Sequence, residues 1–235
     1  LGGMGFAVIM DVLRNRRFSK LMLHSRVVLL MSLGLFLTGF ILTALFEWNN
    51  PGTLAKPDVG PGGKVLASAF QSVTLRTAGF DTLGQGDLTP AMQLVSIILM
   101  FIGASPASTG GGIKTTTVAV LALTVWSVIR GDADVQLARR RVPPGLIRRA
   151  LAIVSISLAM ALGGTMLLTL LEGDGQPFLD MMFEAFSAMA TVGVSSAGTP
   201  NLSAGSKTVL ALMMFFGRVG PLTMASALAS RQNRN

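Results

Sequence analysis

The sequence predicts an all-α integral membrane protein made of a repeated unit: a span, a short helix that dips into the membrane, and a second span. Hydrophobic residues make up 51% of the 235 positions and charged residues 13%, whereas soluble domains carry about 25% charged residues. The uncharged runs Val27–Phe46 and Ala150–Leu171 each have the length of about 20 residues that a spanning helix needs. The apolar runs 91–102, 118–129 and 209–216 reach this length only when joined across breaks that contain Gly or Pro.

The basic residues are concentrated in three segments and predict the topology. The net charge is +8, and most Lys and Arg residues lie in 14–26, in 130–149 and after position 230. Cytoplasmic loops of membrane proteins are enriched in Lys and Arg. We therefore expect a multi-pass protein of the cytoplasmic membrane with both termini of this segment in the cytoplasm. Anionic lipid explains the basic excess, and nucleic acid is not an expected partner.

Reactive side chains are scarce. The sequence has no Cys and a single His, His24, which argues against disulfides, Cys-based metal sites and a His-containing metal cluster. No nucleophile–base pair is visible either. We therefore expect neither an enzyme nor an organic cofactor.

The predicted segments follow one another in a simple order. The start resembles the end of a helix that is already under way, and we expect the chain to be part of a longer polypeptide. The predicted ranges are 1–13 for this helix end, 14–26 for a basic cytoplasmic linker, 27–130 for a first unit, 131–149 for a basic cytoplasmic loop and 150–230 for a second unit. In each unit the first span leads out of the cytoplasm and the second leads back.

Two apolar segments on the outer side are too short to cross the membrane. Residues 64–75 and 178–190 number about a dozen each, so we expect each to enter the membrane as a helix and to return as extended chain. Both end in a Thr-x-Gly tip, Thr77-Ala78-Gly79 and Thr191-Val192-Gly193. The two glycines are 114 residues apart, and the Met-Phe-x-Gly sequences at 100 and 214 have the same offset. This register predicts an internal duplication.

The two tips predict a path for a cation. Irregular backbone at membrane depth must line water or be buried in protein, and in potassium channels the carbonyls of Thr-Val-Gly loops replace the hydration shell of the ion. We therefore predict selectivity filters at 76–80 and 191–195 in units of the M1–P-loop–M2 kind. The filter residues are Thr77, Ala78, Gly79, Phe80, Thr191, Val192, Gly193 and Val194. K+ is expected at Thr77, Gly79, Thr191 and Gly193, and the alternative is a pair of ordinary outer turns.

The return span of the first unit is interrupted. A helix over 89–102 is about 21 Å long and ends near mid-membrane, because Pro106 and three consecutive glycines do not continue it. We predict an intramembrane loop at 103–113 that crosses the ion path, with a simple helix kink as the alternative. The gating candidates are Gly103, Ser105, Ser108, Gly110, Gly111, Gly112, Lys114 and Arg218.

Arg218 lies one residue after Gly217, in the corresponding place of the second unit. A charge at the centre of a spanning helix costs about 3 kcal/mol and normally faces a cavity or a partner. We predict that Arg218 regulates ion passage, with a purely structural role as the alternative. For Lys114 the alternative is that it only holds the end of the loop.

Four stretches resemble the Trk/Ktr/HKT superfamily of potassium transporters, most closely the membrane subunit of bacterial Ktr and Trk systems. They are FQSVTLRTAGF (70–80), GASPASTGGGIKTTT (103–117), FEAFSAMATVGVSS (183–196) and FFGRVGPLT (215–223). The resemblance implies four units around one ion path, of which this chain holds the third and fourth. It also implies a homodimer of complete subunits, a cytosolic ring of nucleotide-binding regulatory subunits, a gating loop at 103–113 and a pore arginine at Arg218.

Three functions remain open from the sequence. Potassium uptake driven by the membrane potential is preferred, with Na+ as a candidate coupling ion. A less selective Na+/K+ pathway is the first alternative, although both tips keep Gly where the resemblance associates Ser with sodium. A non-transporting membrane scaffold or sensor is the second, and it predicts no dependence on ions.

Overall fold

The computed structural model describes residues 3–132, 134–137 and 140–220, and the predicted positions 1–2, 133, 138–139 and 221–230 lie outside the described residues. Helices build the described part of the chain. They are α1 (Phe6–Asn15), α2 (Leu23–Glu47), α3 (Pro61–Thr74), α4 (Pro90–Phe101), α5 (Thr115–Arg130), α6 (Pro144–Glu172), α7 (Phe178–Ala190) and α8 (Ala204–Val219). Single 3-10 turns lie at Phe18–Lys20, Gln85–Asp87, Gly173–Gly175 and Thr199–Asn201. The predicted all-α class is confirmed, and the 131–149 loop adds a short antiparallel hairpin of β1 (Gln136–Leu137) and β2 (Arg140–Arg141).

α2 and α6 begin well before the apolar runs that predicted them. α2 begins at Leu23, within the predicted linker, because the Asp11 carboxylate accepts a hydrogen bond from Met22 N (2.9 Å) at its start. Helix starts leave backbone N–H groups without helical partners, and such an acceptor stabilises them. α6 begins at Pro144 instead of 150, since proline at the first helical position has the required backbone angle and needs no N–H partner.

The re-entrant candidate α3 also differs from its predicted range, whereas α7 covers 178–190. α3 begins three residues before 64 for the same reason as α6, with Pro61 at its first position, and it ends at Thr74. A further correction concerns the N-terminus, where the helix starts at Phe6 and not at the first residue. Phe6 N donates to Ala107 O (3.0 Å), so the chain turns toward the 103–113 segment instead of continuing a helix.

The core surrounds α7. This helix packs against α4, α6 and α8, and the side chains from Phe183 to Ala190 are all buried. α3 packs mainly against α2 and leaves apolar side chains such as Leu66 (73% exposed) and Val73 (51% exposed) uncovered. The two short helices therefore have unequal surroundings within the described residues.

α2 presents a continuous apolar face to its outside. Leu30, Leu33, Leu37, Ile41 and Leu45 recur every three or four residues and are 44–68% exposed, which places them on one side of a helix. Among the described helices, α2 and α6 have the length and hydropathy to cross a membrane. Apolar patches of this extent are rare on soluble monomers, so the face fits contact with lipid.

The helices of the first predicted unit (α2–α5, the first group) and those of the second (α6–α8, the second group) share local geometry at the offset of 114 residues. Thr89 and Ser203 cap α4 and α8 by accepting hydrogen bonds from Met92 N and Ser206 N. The 3-10 turns Gln85–Asp87 and Thr199–Asn201 precede these caps at the same offset. The register of the sequence repeat is therefore also a register of backbone conformation.

A buried carboxylate joins the C-terminal end of α2 to the N-terminal end of α4. Glu47 is 0% exposed and accepts hydrogen bonds from Thr89 N (2.9 Å) and Thr89 Oγ1 (2.7 Å). It also accepts from Thr53 Oγ1 (2.6 Å) and Asn50 Nδ2 (2.6 Å). In the second group Glu172, the last residue of α6, accepts one exposed bond from Ser203 N (2.8 Å).

We expect Glu47→Ala to lower the melting temperature of the detergent-purified protein. The change leaves one buried and three partly buried donor groups without their acceptor, at a cost of about 3 kcal/mol. Glu172→Ala is the matched control, because Glu172 accepts its bond from Ser203 N at an exposed position and its replacement should shift the melting temperature much less. Equal shifts for the two variants would contradict the assignment.

Candidate functional site

The two Thr-x-Gly tips have the same backbone conformation. Thr77 (φ 65°) and Thr191 (φ 52°) are left-handed, and Gly79 (φ 77°) and Gly193 (φ 99°) also have positive φ. The expected extended chain is therefore wrong at these positions. A positive φ is unusual for a β-branched residue, so the surroundings must hold each threonine in place.

Hydrogen bonds to the preceding helix hold each tip. Val192 N donates to Ser187 O (2.9 Å), and Ala78 N donates to Thr74 O (3.2 Å). Side-chain hydroxyls then reach past the glycine, because Thr74 Oγ1 donates to Phe80 O (2.5 Å) and Ser187 Oγ donates to Val194 O (2.6 Å). Phe80 and Val194 are equivalent at the offset of 114 residues. Each tip is thus fixed both before and after its glycine.

The two tips lie directly beside each other. A methyl group at Gly79 would overlap Val192 O, and a methyl group at Gly193 would lie 3.6 Å from Gly79 Cα. No side chain separates the backbones at this point. The structure therefore brings together the eight residues predicted as filter, from two segments that are far apart in sequence.

The 103–113 segment lies against both tips. A methyl group at Gly110 would overlap Thr77 Oγ1, and one at Gly111 would overlap Thr191 Oγ1 and lie 2.7 Å from Ala190 O. Two consecutive glycines thus allow the segment to approach both threonines. Larger residues would push it away from the tips.

The ends of this segment meet and close it into a loop between α4 and α5. Ala104 N donates to Gly111 O (3.2 Å), and a methyl group at Gly103 would lie 2.8 Å from Gly112 Cα. Ser105 Oγ and Thr115 Oγ1 are 3.0 Å apart and buried, and Ser108 Oγ donates to Ser105 O (2.5 Å). The alternative of a simple kink does not describe such a closed loop.

Two cationic side chains bind neighbouring carbonyls of the loop. Lys114 Nζ donates to Gly110 O (2.7 Å), and Arg218 Nη1 donates to Thr109 O. Lys114 belongs to the loop's own helix group, whereas Arg218 comes from α8 of the other group. A cavity of about 380 Å³ is lined by Thr191, Gly193 and Arg218 among others, so this arginine borders the same space as the second tip.

Several polar residues around the tips were missed in the sequence. Glu184 is 3% exposed and accepts hydrogen bonds from the segment after the second tip. Gln71 and Gln85 are buried beside the first tip, and Gln85 Nε2 donates to Asp81 Oδ1 (2.9 Å). Partial burial raises the pKa of Asp81, and the hydrogen bond from Gln85 acts in the opposite direction. The available signal was a carboxylate within an apolar membrane helix, which is rare without a function.

Comparison with known proteins agrees with this arrangement. The sequence model of the family described as "TrkH: Cation transport protein" matches residues 5–234. Ktr system potassium uptake protein B of Bacillus subtilis (strain 168) is 39% identical over 234 residues, which cover 100% of this chain and 52% of that protein. The protein of the same name from Vibrio alginolyticus is 40% identical over 97% of this chain and 50% of its own length.

A further relative and a solved structure extend the comparison. Potassium/sodium uptake protein NtpJ of Enterococcus hirae is 34% identical over 99% of this chain and 51% of that protein. The crystal structure of the potassium transporter TrkH from Vibrio parahaemolyticus superimposes with a TM-score of 0.68 at 22% identity, over 95% of this chain and 48% of that chain. The chain thus spans about half the length of these relatives, and the helical fold is that of TrkH. The predicted resemblance is confirmed: the chain belongs to the TrkH family of cation transport proteins.

Proposed function

We propose that this protein takes up potassium ions across the cytoplasmic membrane through a pore whose filter includes both Thr-x-Gly tips. The observation that carries the proposal is the direct contact of Gly79 with the Val192–Gly193 backbone. Backbone carbonyls grouped in this way replace the water around a dehydrated cation. K+ is the cargo, held at Thr77, Gly79, Thr191 and Gly193, and the names of the relatives support potassium as the ion.

The proposed topology follows from helix lengths. α3 has 14 residues and α7 has 13, so each is about 20 Å long and shorter than the apolar core of about 30 Å. Each is proposed to enter from the outer side and to return through its filter, between two spans. In this arrangement both termini of the segment and the 131–149 loop lie in the cytoplasm, as the basic residues favour.

The loop at 103–113 is proposed as the gate. It lies against both tips, and its glycines leave no gap there, so an ion that leaves the filter must displace it. Arg218 and Lys114 hold this loop by its carbonyls and add positive charge on the inner side of the filter. Movement of the loop away from Thr77 and Thr191 would open the path.

The remaining parts of the transporter are also proposals. Two tips supply half of a four-part filter, and the relatives are about twice as long as this chain. We propose that these residues act as the third and fourth units of a complete subunit, whose first two units cover the open face of α3. A homodimer of such subunits, a cytosolic nucleotide-binding ring and anionic lipid at the basic loops complete the proposed assembly.

Two alternatives are kept. One relative is named a potassium/sodium uptake protein, which favours a less selective Na+/K+ pathway or Na+ as a coupling ion. The second alternative is a membrane scaffold or sensor that transports nothing. It offers no reason for two left-handed threonines that face a glycine loop.

Expression of the complete subunit in a bacterium that lacks its own potassium uptake tests the proposal. We expect the subunit to restore growth at limiting potassium. We also expect saturable rubidium uptake that excess K+ suppresses and an equal concentration of Na+ affects little. Equal suppression by Na+ would favour the less selective pathway. A subunit that reaches the membrane and supports no cation uptake would overturn the proposal in favour of the scaffold.

A further inference from the structure

We propose that Glu184 positions the outer end of the second filter and is thereby a determinant of ion selectivity. The inference rests on the proposed function. It concerns two sets of hydrogen-bonded side chains that connect a short helix to the segment after its filter. The first brace consists of Gln71, Asp81 and Gln85, and the second brace consists of Glu184, Ser195 and Thr199.

The second brace is centred on the carboxylate. Glu184 accepts hydrogen bonds from Ser195 Oγ, from Ala197 N (3.2 Å) and from Thr199 Oγ1 (2.8 Å). Ser195 Oγ in turn accepts from Gly198 N and Thr199 N, both at 3.0 Å. One buried side chain of α7 therefore organises the five residues that follow Val194.

In the first brace, glutamine amides make the connection between the short helix and the segment after the filter. Gln71 Nε2 donates to Gln85 Oε1 (2.7 Å), Gln85 Nε2 donates to Gln71 Oε1 (3.2 Å), and Gln85 Nε2 also donates to Asp81 Oδ1 (2.9 Å). Asp81 and Gln85 correspond to Ser195 and Thr199 at the offset of 114 residues.

The carboxylate occupies a different position in each brace. In the first brace it lies in the outer segment, at Asp81, and in the second it lies in the helix, at Glu184. Position 70, which corresponds to Glu184, is Phe70 and is 36% exposed. Each brace thus contains one carboxylate and connects the helix to the same two positions after the filter. A requirement for the connection itself, and not for one residue type, explains this pattern.

The position of the second brace gives it an effect on the filter. Ser195 lies two residues after Gly193, and Ser187 already holds Val194 O. The brace therefore fixes the next point along the chain, so that the carbonyls between Thr191 and Val194 have both ends anchored. Binding sites lose precision when their supporting groups leave them loose by about 1 Å. K+ and Na+ differ in radius by less than that, so a loosened filter should lose K+/Na+ discrimination before it loses its maximal uptake rate.

The charge of Glu184 has a separate effect. The structure places no Lys, Arg or His within salt-bridge distance of Glu184 among the described residues. Hydrogen bonds and not an ion pair therefore hold its negative charge, in a cavity that Arg218 also lines, and this charge favours a cation in the neighbouring filter. Loss of the charge should weaken potassium binding, and loss of the brace should weaken discrimination.

Glu184→Ala and Glu184→Gln in the complete subunit separate these effects. The measurement is rubidium uptake with K+ or Na+ as competitor, together with KM and the maximal rate, normalised to subunit in the membrane. We expect Glu184→Ala to lower the K+/Na+ discrimination about tenfold, a change of the size expected for lost hydrogen bonds to a charged group. Glutamine keeps the acceptor oxygen for Ser195, so Glu184→Gln should raise KM and retain most of the discrimination.

Three results would overturn the proposal: wild-type discrimination in Glu184→Ala, an equal loss in Glu184→Gln, or a loss of maximal rate alone. Thr199→Val removes the hydroxyl that contacts both Glu184 and Ser195 and leaves the other bonds of Glu184 in place. It should lower discrimination partially, so it provides the test if Glu184→Ala does not reach the membrane. Unchanged discrimination in Thr199→Val would then overturn the proposal. Glu172→Ala, which removes a carboxylate bond distant from the filter, is the control.

The brace and the proposed function fail in distinguishable ways. If Gly79→Ser and Gly193→Ser both leave potassium uptake intact, the filter assignment itself is wrong. If Gly193→Ser impairs uptake and Glu184→Ala retains wild-type discrimination, only the brace is wrong.

Discussion

Replacement of Gly79 by serine is expected to reduce potassium uptake by about tenfold or more, because a side chain in this left-handed position costs about 1–3 kcal/mol. The added Cβ would also overlap Val192 O of the neighbouring tip. Either the first tip moves away from the second or its carbonyls rotate, and both changes disturb an ion that the two tips share. The measurement is rubidium uptake and potassium-limited growth with the complete subunit.

Gly193→Ser should act in the same direction with a smaller effect. The strain at φ 99° is present, but the nearest atom to an added methyl group is Gly79 Cα at 3.6 Å. Gly163→Ser is the matched control, because a methyl group at Gly163 in α6 meets nothing within 4 Å. Normal uptake in both Gly79→Ser and Gly193→Ser, with normal amounts in the membrane, would remove the filter assignment.

Arg218→Ala is expected to raise the maximal rate of potassium uptake, on the order of fivefold, because it removes a charged hydrogen bond that holds the proposed gate. Arg218 Nη1 contacts Thr109 O, next to the two glycines that lie against the filter threonines. Without this contact the loop keeps its own hydrogen bonds and the one from Lys114, and the positive charge on the proposed inner side of the filter is reduced. Initial rates of rubidium uptake at saturating concentration measure the change.

Lys207→Ala is the control for Arg218→Ala. Lys207 is a cation of the same helix that donates to Pro200 O (2.8 Å), and it lies in the first turn of α8 whereas Arg218 lies in the last. Its replacement should leave the rate unchanged. A rate in Arg218→Ala that equals or falls below the wild-type rate would contradict a restraining role for this arginine.

The sequence revealed local features because their causes are local. The ends of α7 are readable from Pro177 before Phe178 and from the Thr191–Gly193 tip after Ala190. The offset of 114 residues was likewise visible before the structure extended it to the helix caps and the 3-10 turns. Boundaries were missed where a distant group or a proline extends a helix beyond its apolar run, as Asp11 does for α2.

For the same reason, only part of the candidate site could be predicted from the sequence. The residue types of a filter and a gate could be named, since Thr-x-Gly tips and a Gly-rich break have few other uses at membrane depth. The left-handed threonines and the function of Glu184 were not visible, because both depend on partners from other segments. The hydrogen-bond partners of a side chain are not specified by the residues next to it in the sequence.

The sequence by itself determined that this is a helical membrane protein of the TrkH family, with two similar units that each end a short helix in Thr-x-Gly. Composition, hydropathy and repetition are properties of the chain, so no folded structure is needed to read them. Only the tertiary structure decided which residues meet: the tips beside each other, Gly110 and Gly111 against their threonines, and Arg218 on a carbonyl 109 residues away. Such contacts arise when packed helices bring distant segments together, and no local pattern specifies them.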